Sequence, residues 1–68
     1  NPSNDYLFIE ASDMIRYVKL FDMKGIQISK QHPNSQFASF DVQSLVPGVY
    51  ILQLLVNNVI TNKKIIIK

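Results

Sequence analysis

Cysteine is absent from this 68-residue chain, so neither a disulfide framework nor a thiolate metal site can reinforce its core. Glycine occurs only twice, which excludes a Gly-rich phosphate loop. The single histidine, His32, lies in a polar loop beside Pro33. A catalytic triad needs further groups held in fixed geometry around such a residue, and a lone loop histidine reads as a solvated side chain. No apolar run approaches the ~20 residues of a membrane helix, and no charged, apolar and small-residue succession marks a secretory signal peptide. Any export signal would lie upstream, and a start at Asn1 rather than methionine suggests a module taken from something longer.

Acidic residues are also few. Five carboxylates face seven basic side chains, a formal charge of +2 that is dispersed along the chain and is no nucleic-acid footprint. Asp5, Asp13, Asp22 and Asp41 fall in or beside expected turns, where aspartate usually caps the turn through its own side chain. That leaves no carboxylate pair for glycoside chemistry and no Asp-x-Asp spacing for calcium, so no metal ligand and no cofactor is assigned, with calcium held by loop carboxylates and carbonyls as the minority reading.

What the chain has in abundance is β-branched and aromatic residues. A hydrophobic share of 47% places it among globular domains, although a chain of about 60 residues buries only roughly 60% of its unfolded surface and has little stability to spare. Tyr6-Leu7-Phe8-Ile9-Glu10 alternates as a first strand, and Ala11-Ser12-Asp13 breaks the pattern. Ile15-Arg16-Tyr17-Val18-Lys19-Leu20-Phe21 is the second, joined through Asp22-Met23-Lys24-Gly25 to an antiparallel third, Ile26-Gln27-Ile28-Ser29-Lys30. The polar stretch at residues 31–36 reads as a mobile connection between layers or edges. Phe37-Ala38-Ser39-Phe40-Asp41-Val42 is a weaker strand.

Pro47-Gly48 fits the central positions of a type II turn, with Leu45 plugging the core beside it. Residues 49–56 are apolar except for Gln53, which suggests a strand buried on both faces. Asn57-Asn58 tolerates positive φ and turns the chain into a last strand over residues 59–67. These segments, with no amphipathic helix, predict an all-β fold: a small immunoglobulin-like β-sandwich of about six or seven antiparallel strands. Of the seven aromatic residues, Tyr6, Phe8, Tyr17, Phe21, Phe37, Phe40 and Tyr50, at least five are expected in the core, with tyrosine hydroxyls toward water.

The closing run Lys63-Lys64-Ile65-Ile66-Ile67-Lys68 has two readings. Its lysines can blunt an exposed edge against aggregation, or they can mark an accessible strand that a receptor reads by strand addition. An exposed edge would also permit a homodimer.

The ordered set Asn1-Pro2, Leu7-Phe8-Ile9, the segment from Val18 through Asp22-Met23-Lys24-Gly25, Phe40-Asp41-Val42 with Leu45, Gly48-Val49-Tyr50-Ile51-Leu52 and the lysine-rich close resembles the type A C-terminal sorting domain of the type IX secretion system of Bacteroidota. The resemblance covers residues 1–68 and implies a sorting signal, not an enzyme. It implies a cargo domain upstream in the same chain, transit through the periplasm, and delivery by the outer-membrane translocon to the cell surface or medium. A sortase-like cysteine protease is the second implied partner. By position, Gly25 matches the hairpin glycine, Gly48 and Tyr50 match the Gly-x-Tyr motif, and Lys63, Lys64, Ile65, Ile66, Ile67 and Lys68 match the recognition segment. The alternative is an immunoglobulin- or fibronectin-like accessory module binding carbohydrate or protein at the bacterial surface, for which an aromatic triplet exposed on one sheet face would speak.

Overall fold

The computed structural model describes residues 6–67. The Asn1-Pro2 motif and Lys68 lie outside the described residues. The fold is all-β, with strands β1 (Tyr6–Asp22), β2 (Gln27–Gln31), β3 (Ser35–Asp41), β4 (Gly48–Val56) and β5 (Val59–Ile67), and every pairing is antiparallel. The strand count is five because the expected first and second strands run on as one strand of 17 residues. Ala11-Ser12-Asp13 falls inside a register shift between Glu10 and Ile15. An irregularity of this kind bends a strand without ending it.

Two hairpins build the molecule. In the longer one, β2 pairs with the second half of β1 (Lys19 opposite Lys30, Leu20 opposite Ser29) and β3 pairs with its first half (Leu7 opposite Phe40, Ile9 opposite Ala38). Its tip is closed at Asp22-Met23-Lys24-Gly25: Gly25 adopts φ +85°, and one Asp22 carboxylate oxygen accepts from the N–H groups of Lys24 (2.8 Å) and Ile26 (3.0 Å). The shorter hairpin is β4–β5, turned by Asn57 (φ 56°) and Asn58 (φ 64°), the double positive φ that a two-residue type I′ loop requires.

The second half of β1 also pairs with β4, giving a four-stranded layer in the order β2-β1-β4-β5. The first half, with β3, folds back over it as a two-stranded layer. Among the described residues β3 and β4 keep their Cα atoms more than 8 Å apart, yet Ala38 and Phe40 join Leu52 and Leu54 in one core. Strands that share a core without lying side by side face one another across it, although all five are hydrogen-bonded into one sheet; the shortest dimension of the Cα trace is 15 Å. Ile15, Val18, Leu20, Val42 and Tyr50 complete the buried set, and Leu45 packs against it from the preceding loop as its sequence position suggests.

Three expectations change. The polar connection shrinks to residues 32–34, because Gln31 belongs to β2 and Ser35 and Gln36 to β3; it does pass between the layers, and it is tied down by the Asn34 N–H donating to the Ile15 carbonyl at 3.0 Å. The hydrogen-bonded turn before β4 is not at Pro47-Gly48: the Leu45 N–H donates to the Val42 carbonyl at 3.1 Å, and Gly48 already begins β4 with φ +158°, far from the φ near +80° of a type II turn. Finally, β4 is buried on one face only, since Tyr50, Leu52 and Leu54 are buried while Val49, Ile51, Gln53 and Leu55 are half-buried on the uncovered side.

Candidate functional site

The segment expected to be recognised, as far as it is described, falls on β5, a strand at the end of the four-stranded order with one edge unpaired among the described residues. Residues directly opposed in an antiparallel ladder point to the same face. Lys63 opposes buried Leu52, Ile65 opposes buried Tyr50 and Ile67 opposes Gly48, so these three face inward. Lys64 opposes Ile51 and Ile66 opposes Val49, so these two face outward. The structure thus divides the run: Ile65 and Ile67 pack against the core, while Lys64 and Ile66 are exposed on the outer face. The division is legible in the sequence once the turn is fixed, because a two-residue loop at Asn57-Asn58 sets Val56 opposite Val59 and the rest of the register follows by count.

Lys63, although inward, is not covered. It lines an open cleft of about 490 Å³ together with Ile9, Glu10, Asp13, Leu54 and Thr61. The cleft opens where β4 ends at Val56, opposite Ile15, so that among the described residues the first half of β1 has no strand on its second edge. Glu10 and Asp13 line it from β1 and Lys63 from β5.

The ring of Tyr50 is buried, and Ile65 of β5 stands opposite it in register. Its hydroxyl, expected in water, instead donates to the Val46 carbonyl two residues before Gly48 and fastens the loop to the strand. Gly25 sits at the tip of the long hairpin, at the end of the sheet where Asp22 stands opposite Tyr50 and Tyr50 opposite Ile65 of β5.

Outward, the two layers differ. On the four-stranded layer one row crosses all strands as Lys30, Lys19, Gln53 and Asn62, each opposite the next. The Gln53 amide donates to Asn62 Oδ1 at 3.2 Å, and the Lys19 ammonium lies 4.8 Å from the centre of the Tyr17 ring. On the two-stranded layer Tyr6, Phe8 and Phe37 are 47%, 77% and 59% exposed, and the Tyr6 and Phe8 rings are 6.1 Å apart. The expectation that five of seven aromatics lie in the core fails on these three. Only Phe40 and Tyr50 are fully buried, with Tyr17 and Phe21 half-buried. Hydrophobicity alone does not say which face of a strand has a covering layer, and the outer face of a two-stranded ribbon has none.

His32 is exposed, and among the described residues no three histidine or carboxylate side chains come together in a metal-binding group. No helix is long and apolar enough to cross a membrane. A sequence-family model described as a secretion system C-terminal sorting domain matches residues 1–68. Neither the curated proteins nor the solved structures contain a match to this chain.

Proposed function

The chain belongs to the family of type IX secretion C-terminal sorting domains, a sorting rather than a catalytic family, and on that premise we propose that residues 1–68 act as a single address domain. The address directs an upstream cargo of the same chain through the outer-membrane translocon to the cell surface or medium after transit through the periplasm. The translocon and a sortase-like cysteine protease are its partners, and β5 is the segment they read. The observation that carries this reading is the match over the full length of the chain, joined to a last strand with one edge unpaired among the described residues. An unpaired edge supplies main-chain donors and acceptors to a receptor by strand addition.

The test is transplantation. A fluorescent reporter carrying a signal peptide, fused ahead of residues 1–68, should reach the surface or medium in a host with the type IX system and stay in the periplasm of a translocon-deficient derivative. Periplasmic retention in the competent host, or equal release from both, contradicts the proposal.

A second activity is supported by Tyr6, Phe8 and Phe37, an exposed aromatic triplet on one sheet face, flanked by Gln31 and Ser39. Aromatic faces with adjacent amide and hydroxyl groups suit sugar rings. Under this reading a neutral polysaccharide retards the protein in affinity electrophoresis and Phe8→Ser abolishes the retardation; migration unaffected by polysaccharide removes it.

A further inference from the structure

The lysines of the outward face of the four-stranded layer come from three different strands. Lys30 of β2 and Lys19 of β1 are direct cross-strand partners, and Lys64 of β5 stands on the same face opposite Ile51. The carboxylates of the described residues lie elsewhere. Glu10 and Asp41 point outward from the two-stranded layer, opposite Phe37 and Tyr6; Asp13 lines the cleft; Asp22 is engaged in the hairpin turn. A chain with a formal charge of only +2 therefore carries a sheet face with three lysines and no described acid. Like charges directly opposite one another destabilise a sheet, so the Lys19–Lys30 pair is a local cost that the fold does not require.

We propose that this outward face is the docking surface through which the secretion machinery reads the domain, and that it docks against an acidic protein surface. The inference rests on the sorting function proposed above and adds to it the face and the charge of the partner. Complementary charge steers the encounter and fixes orientation, which accounts for keeping two lysines in register. Beside the lysines, in the row of Lys64, lie the half-buried side chains of Phe21 and Ile51. Such a mixture of apolar patch and charged surround is the anatomy of a protein interface. An anionic membrane is the poorer match, because polybasic lipid-binding segments use clusters of about four to eight cations.

The experiment uses the reporter fusion in the type IX-competent host. Lys30→Glu combined with Lys64→Glu should lower delivery about tenfold or more, since it sets carboxylates against an acidic partner. Because Lys30→Glu converts a like-charge pair into an opposite-charge pair, its thermal midpoint should hold or rise while delivery falls, a separation that a merely structural role does not produce. Lys30→Gln with Lys64→Gln, which introduces no charge, should give a smaller loss of delivery and serves if the Glu variant does not fold. Glu10→Lys on the opposite layer should deliver normally. Unchanged delivery of both the Glu and the Gln pairs, or an equal loss in Glu10→Lys, overturns the proposal. So does sedimentation of the purified domain with phosphatidylglycerol vesicles that the Glu pair abolishes, which would assign the face to a lipid. Failure of the unmodified fusion to leave the periplasm would instead defeat the sorting function itself.

Discussion

The two layers of this protein share one core and obey the same alternation of side chains, yet their outer surfaces are unlike. Outward positions of β4 in the four-stranded layer, Val49, Ile51, Gln53 and Leu55, are half-buried because a neighbouring strand stands on each side. Tyr6, Phe8 and Phe37 in the two-stranded layer have a neighbour on one side only and lie bare. Sheet width, more than side-chain hydrophobicity, decides how much an uncovered face exposes. The charges are segregated along the same division, with lysines outward on the wide layer and Glu10 and Asp41 outward on the narrow one.

The comparison can be broken most severely at the core. Phe40 of β3 is the largest buried contribution from the narrow layer, and Phe40→Ala should cost about 3–5 kcal/mol, enough to unfold a domain of this size in a denaturant titration. If the loss were under about 1 kcal/mol, the narrow layer would be an appendage rather than half of the core. At the other end of the scale, Phe8→Ser on the bare face should change stability by no more than about 0.5 kcal/mol while removing any affinity for polysaccharide. A large destabilisation there would mean that the outward face is covered in the folded protein.

Much of the fold was legible in the sequence because turn chemistry is local. Asp22 and Gly25 announce the long hairpin, and Asn57-Asn58 announces the short one and sets its register. What was not legible depended on partners distant in the chain. Ala11-Ser12-Asp13 looks like a break, but an irregularity lets one strand pass from one layer to the other, and only the pairing partners Ser35 and Val56 of Ile15 show it. The inner and outer sides of the apolar run in β4 could not be told apart until β3 was known to cover one of them. The closing lysine-rich run stands out as a run, whereas its division into inward Lys63 and outward Lys64 requires the register.

That division gives the most direct test of the account, in which the last strand offers its edge for pairing and the charge of its outward face for docking. Lys63→Gln and Lys64→Gln remove the same charge from adjacent residues of β5, one beside the cleft and one on the cationic face. Quantified as the fraction of fused reporter delivered outside the cell, Lys64→Gln should fall severalfold below the unmodified domain, the loss expected from one interfacial charge, and Lys63→Gln should match it. Equal loss in both, or a loss confined to Lys63→Gln, would contradict the account.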